Sequence, residues 1–208
     1  MGRKLILELT NDPDARNPLP DMGWKYVHFR QGFEGCEDKE DYLVWKDGGY
    51  RANRSLQGKI ERGTAFFVSL YEHSGRSWTV TSDTEWSDQV DGILFCNTSC
   101  ITRPERLAMA EGVMKMYEAW AEGAVYAFIL SEARDAIEKA TGREVKGGLK
   151  VEIDSCCGFY DSSTLFATLR EEHFREGDKV EVEGEAAWLM RFEDISPAKI
   201  ASECEDED

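Results

Sequence analysis

Cysteine, histidine and carboxylate side chains are the groups here whose types and spacing could do chemistry. Cys156 stands in Asp154-Ser155-Cys156-Cys157-Gly158, at the end of an alternating segment and beside a glycine. A thiol so placed could act as a nucleophile, with His73 or His28 as its base and Asp154 or Asp88 as the orienting carboxylate. The plainer reading is that Cys156 packs beneath a helix while Asp154 and Ser155 hydrogen-bond backbone in the turn that follows. Plain packing is preferred, because such a triad is defined by geometry and not by sequence order. No catalytic residue is assigned on this basis, and Cys156, His73 and Asp88 stand as the minority set.

Metal chemistry has two candidate sites. Cys96-x-x-x-Cys100 is wider than a zinc knuckle and would need Cys156, Cys157 or a distant histidine to complete four ligands, so free thiols are the simpler expectation. Asp83, Glu85, Asp88 and Asp91 lack the ligand order and bidentate glutamate of a calcium loop, which favours a solvated acidic connection. Gly147-Gly148 belongs to no phosphate-cradling pattern, and neither a Walker sequence nor a strand–GxGxxG–helix unit occurs. No metal and no cofactor is therefore expected.

The elements that would position these groups are readable from periodicity. Strands are expected at Lys4–Thr10, Trp24–Phe29, Thr64–Tyr71, Ser77–Thr81 and Gly92–Cys96, with a hairpin or loop-rich insertion over residues 30–62. A long helix begins at Thr102, whose spacing to Glu105 is that of a capping box, with Pro104 in the first turn. Leu107, Ala110, Met114, Tyr117 and Ala121 form one apolar stripe, and Met109, Val113, Met116 and Trp120 form a second. Together they predict a wide face laid on a sheet, with Gly123 ending the helix. A strand at Val125–Leu130 follows, then a short helix at Ala133–Ala140 and an antiparallel partner strand at Leu149–Asp154. Residues 164–174 read as helix with Leu165, Phe166 and Leu169 inward, and Val180, Val182 and Ala186–Met190 as a last strand or edge hairpin. The expected class is α+β, a mostly antiparallel sheet packed against one long amphipathic helix and shorter helices. The expected layout is a strand- and loop-rich extension at residues 1–62, a core over 63–201 and a disordered acidic tail at 202–208.

A hydrophobic share of 41% and an aromatic share of 11% suffice for a packed core. Apolar runs such as Ala124–Leu130 are too short to span a bilayer, and the start of the chain shows neither a signal-peptide pattern nor the serine or threonine of a myristoylation signal. A cytoplasmic protein with six free thiols is expected. Net charge is −16, with 18 acidic against 8 basic residues after Gly142. Such a field repels nucleic acid and attracts basic surfaces, so direct DNA or RNA binding is not expected.

Several separated segments resemble a family of mostly uncharacterised bacteriophage and plasmid accessory proteins. They are Tyr71-Glu-His73-Ser74-Gly75 with the Thr/Ser-rich strand after it, Trp86-Ser-Asp-Gln89-Val90-Asp-Gly92-Ile93, Tyr117-Glu-Ala-Trp-Ala-Glu-Gly123 with Val125-Tyr126, and Asp154-Ser155-Cys156-x-Gly158-Phe159-Tyr160. The resemblance covers residues 64–170. The chain departs from it in three places: Thr84-Glu85 stands where Cys-Pro is expected, Cys157 where a large residue is expected, and Asp161 in place of a glycine. The resemblance implies a mobile-element accessory protein and implies no reaction.

The leading functional expectation is a non-enzymatic protein that binds and inhibits a basic, nucleic-acid-handling host or defence protein, such as a restriction or CRISPR effector. Dense carboxylates would imitate a run of phosphates, the candidate binding residues being Glu171, Glu172, Glu176, Asp178, Glu181, Glu183 and Glu185. Trp45 and Trp188 are candidate aromatic anchors. The alternatives are a small thiol- or metal-dependent hydrolase using Cys156 with His73, and a structural or oligomeric regulatory protein.

Overall fold

A computed structural model describes residues 2–33, 36–72, 76–81, 90–97, 102–139 and 141–186. These residues have mixed α/β content, with ten strands and three α-helices in mostly antiparallel sheets. The first elements are β1 (Lys4–Asn11), β2 (Trp24–His28), β3 (Leu43–Lys46), β4 (Gly49–Ala52) and α1 (Arg54–Glu61). They are followed by β5 (Ala65–Glu72), β6 (Arg76–Thr81), β7 (Gly92–Cys96) and α2 (Arg103–Ala121). The chain continues through β8 (Tyr126–Ile137), β9 (Glu144–Phe159), α3 (Ser162–Thr168) with a π-helical extension at Leu169–His173, and β10 (Lys179–Glu183). Two compact units result, residues 16–122 and residues 1–15 with 123–208. The position near residue 62 read from sequence as the edge of an extension lies inside the first of these.

In residues 16–122 the sheet order is β2-β7-β5-β6, antiparallel throughout. Strand alternation sorts its side chains onto two faces. Trp24, Tyr26, Phe66, Val68, Trp78, Val80 and Leu94 share one buried cluster with Ala110, Val113, Met114 and Tyr117 of α2. Ala65, Phe67 and Ile93 join Leu43 from the β3–β4 hairpin and Leu56 and Ile60 from α1 in a second. Burying a phenylalanine such as Phe66 or Phe67, each almost fully enclosed, contributes about 2–3 kcal/mol.

Helix α2 corrects the expectation of a wide apolar face. Its four buried residues span an arc of about 100° at 3.6 residues per turn. Met109, placed by sequence in the second stripe, falls just outside that arc and is 40% exposed. The Glu105 carboxylate accepts hydrogen bonds from both the backbone N–H and the hydroxyl of Thr102, each at 2.7 Å. Gly123, at φ +69°, follows the last turn in the left-handed region where glycine carries no side-chain penalty.

Helix α1 lies where only a hairpin or loop was expected. Asn53 caps it, its side-chain oxygen accepting from the Leu56 N–H at 2.9 Å. Asn53 followed by Leu56 and Ile60 is a legible start signal, masked by Gly58 and by the polar residues around it.

In the second unit β1 is central, paired parallel to β10 and antiparallel to β8, with β9 outside β8. Leu5, Leu7 and Leu9 of β1, Phe128 and Leu130 of β8, and Leu165 and Leu169 form its core. The short helix expected at Ala133–Ala140 is not formed: β8 continues to Ile137, and Glu132↔Val151, Ala133↔Lys150 and Ile137↔Glu144 extend the ladder. Ala-Arg-Asp-Ala-Ile favours helix only weakly, and cross-strand hydrogen bonding overrides a preference of a few tenths of a kcal/mol per residue, ~0.5. No helix among the described residues is long and apolar enough to cross a membrane.

Candidate functional site

Asp154–Phe159 of the motif lie on β9, opposite β8, and Tyr160 follows the strand. Leu130 pairs with Asp154 and Phe128 with Cys156, a register that puts Asp154 and Cys156 on the face carrying the buried Phe128. On that face His173, at the end of the π-helical segment, brings Nε2 to 3.1 Å from the Asp154 carboxylate, at ion-pair distance but outside hydrogen-bond geometry. The His173 ring meets the Phe128 ring edge-on at 5.9 Å, and its backbone carbonyl accepts from Arg3 at 2.7 Å. Among the described residues His173 is thus the histidine that joins the motif, although sequence reading assigned it no role. Helical continuation from Leu165 to Leu169 and on to His173 was the available signal.

Cys156 itself is exposed, and its thiol donates a long hydrogen bond of 3.7 Å to the carbonyl of Cys157. Cys157 is exposed as well. His73 and Asp88 lie outside the described residues. His28 is buried in the other unit, its ring stacked on Phe33 and its Nε2 bonded to the Tyr117 hydroxyl. Among the described residues, no nucleophile–base pair is assembled at Cys156.

Other residues of the resemblance act as fasteners. The Asp91 side chain accepts from the Leu70 N–H at 2.8 Å, and that of Glu118 from the Trp78 N–H at 3.1 Å. Gly92 has no room for a side chain: a Cβ there would lie 2.3 Å from the Val27 carbonyl oxygen and 2.5 Å from the Tyr26 ring. Asp161, the departure from a glycine, is the N-cap of α3. It accepts from the Thr164 N–H at 2.7 Å and from the hydroxyls of Ser163 and Thr164. The hydrogen bond from Ser163, reinforced by those from Thr164, holds this carboxyl below the ordinary aspartate range.

The metal candidates are not brought together. Cys96 is buried in β7 and Cys100 lies outside the described residues, as do Asp83 and Glu85. Among the described residues, no group of three or more His, Cys, Asp or Glu side chains is disposed to hold a metal ion.

The seven carboxylates read as a binding surface divide into two kinds. Asp178 is interior: its side chain is 3% exposed, at 2.6 Å from the Arg3 guanidinium, and accepts further hydrogen bonds from the Arg3 and Arg175 N–H groups. Burial alone would raise its pKa, but the hydrogen bonds from Arg3 and Arg175 hold it below the ordinary range. It is a structural anchor rather than a docking group. Glu181 pairs with Lys4 at 3.1 Å and Glu183 with Lys150 at 2.8 Å, which reduces the field they present. Glu171, Glu172, Glu176 and Glu185 are exposed, and the His173 ring lies 3.9 Å from the Glu172 carboxylate. Of the two aromatic anchors, Trp45 is 61% exposed at the β3–β4 hairpin, edge-on to Tyr50. Trp188 and the tail 202–208 lie outside the described residues.

No family model, no curated protein and no solved structure matches this chain.

Proposed function

We propose that the chain is a non-catalytic accessory protein of a mobile element, which binds and inhibits a basic, nucleic-acid-handling host or defence protein. The observation that carries this reading is where the charge sits. Residues 1–15 and 123–208 hold 24 acidic against 12 basic residues, whereas residues 16–122 hold 17 against 13. Among the described residues the first of these sets holds 17 acidic against 10 basic and the second 13 against 13, so the surplus lies in one unit, where Glu171, Glu172, Glu176 and Glu185 are exposed. A patch of this sign accelerates encounter with a cationic groove built for phosphates and is weakened by salt.

The test is co-elution of the purified chain with RNA-guided nuclease effectors and restriction endonucleases, over a salt series. Expected is a complex that weakens steeply with ionic strength and is lost when Glu171, Glu172, Glu176 and Glu185 are together replaced by glutamine. Association unchanged by high salt, or no association with any basic nucleic-acid-handling protein, overturns it.

A further inference from the structure

We infer a binding cleft for a nucleoside monophosphate in residues 16–122, formed where β2, β7 and the end of α1 meet. The cleft has a volume of about 700 Å³, within the range of roughly 300–1,000 Å³ typical of small-molecule sites. Its walls combine three cations, Lys25, Lys59 and Arg62, with the rings of Tyr42 and Phe95 and the amide of Asn97. A cluster of cations around partly exposed rings runs against the character of a chain with net charge −16.

Charge decides which ligand fits. Lys25 is engaged by Glu37 at 2.7 Å, and the same carboxylate accepts from the Tyr42 hydroxyl, so Glu37 fixes two walls and neutralises one cation. Lys59 and Arg62 have no carboxylate within ion-pair distance among the described residues. Two positive charges match a phosphate monoester, which carries about −1.5 to −2 at neutral pH.

The helix end beside them would ordinarily oppose an anion, because the last carbonyls of α1 form the negative pole of its dipole. Arg106 removes that obstacle. Its guanidinium donates to the Arg62 carbonyl at 2.7 Å and to the Gly63 carbonyl at 2.9 Å. The rings supply the other half of recognition. Tyr42 and Phe95 lie 5.9 Å apart at 45°, and Lys59 sits 4.9 Å over the Phe95 ring, linking the cationic and aromatic parts. A flat base can rest against these rings while Asn97 offers a donor and an acceptor to its edge. The role of Lys59 and Arg62 as favourable charges at a helix C-terminus explains their sign but not the cleft or the rings.

The test is calorimetric titration of the full chain with AMP, GMP, CMP and UMP, with adenosine, inorganic phosphate and a 5′-phosphorylated single-stranded oligonucleotide as comparisons. Expected is saturable binding of at least one nucleotide, tighter than that of adenosine or phosphate. Lys59→Gln and Arg62→Gln should each weaken it about tenfold, the size of one charged hydrogen bond, and Arg54→Gln, outside the cleft, should leave it unchanged. Both positions are exposed, so thermal melting should show the variants folded. The proposal is overturned by no saturable nucleotide binding, by adenosine or phosphate binding as tightly as the nucleotide, or by insensitivity to the two substitutions. Tighter binding of the oligonucleotide also overturns it, in favour of a strand-end site.

Discussion

His28 Nε2 lies 2.8 Å from the phenolic oxygen of Tyr117, a buried polar contact between strand β2 and helix α2. Burial lowers the imidazole pKa from 6.5 to about 4, so the ring is neutral in the fold at pH 7. Below pH 6.5 the unfolded chain binds this proton and the native chain does not. Stability should therefore fall as pH drops from 6.5 towards 4 and then level off with respect to this group, by at most about 3 kcal/mol. Urea unfolding at several pH values checks the slope. His28→Gln should cost about 1 kcal/mol at pH 7 and flatten it. A slope unchanged in that variant would assign the effect elsewhere.

The Arg3–Asp178 pair makes a separate prediction at lower pH. Because the folded pKa of Asp178 is depressed, its contribution is present above the unfolded value and is lost as pH falls through the folded one. Asp178→Ala leaves the partly buried Arg3 without its carboxylate and should destabilise by about 2–4 kcal/mol. Glu176→Gln, two residues away and exposed, should be within about 0.5 kcal/mol of the parent. Chemical denaturation of both variants measures the contrast.

Asp161→Ala removes the cap of α3 and should cost about 1 kcal/mol, with Asp161→Asn losing less because it retains an acceptor. The difference between the two should be visible in melting temperature. Equal melting for both variants and the parent would mean that the cap bonds contribute nothing net.

Gly92→Ala forces a side chain against the Val27 carbonyl and the Tyr26 ring. The backbone of β7 cannot yield without disturbing its pairing to β2 and β5, so a loss of about 1–3 kcal/mol is expected. Recovery in equilibrium unfolding when Tyr26→Leu is added, which removes the ring, would contradict a backbone clash, since the carbonyl contact would remain.

Thiol chemistry has a simple expected outcome. In the native chain Cys36, Cys156 and Cys157 are exposed and Cys96 is buried, so site-resolved alkylation should label the first three ahead of Cys96. If Cys156 acts alone, His173→Asn leaves its rate unchanged. A large drop in that variant would revive a thiol–imidazole pair.

What sequence showed and what it hid follow from the range of the forces. The strands of residues 16–122 and the antiparallel pairing of the strands that hold 125–130 and 149–154 were legible because alternation is local, but not their register: Leu149–Asp154 face Arg134–Leu130, and Phe128 faces Cys156. Residues 133–137 were misread because their composition is helical in isolation while their hydrogen bonds come from across a hairpin. The acidic cluster showed a similar limit: Asp178 and Glu176 look alike in sequence, and only Arg3, far away in the chain, makes one of them interior. The cleft escaped notice because Lys25, Lys59 and Phe95 come from three elements and form no motif.

The central position of β1 has a consequence for biosynthesis. Its neighbours are β8 and β10, so Leu5, Leu7 and Leu9 leave the ribosome long before Leu130 or Val180 exists to pair with them. Residues 16–122 can complete their own sheet during that interval, while β1 remains an apolar ribbon with both edges open. Nascent chains halted before β8 should accordingly hold one finished unit and one sticky strand. That intermediate is where trigger-factor-like holdases, rather than the finished protein, would find a grip.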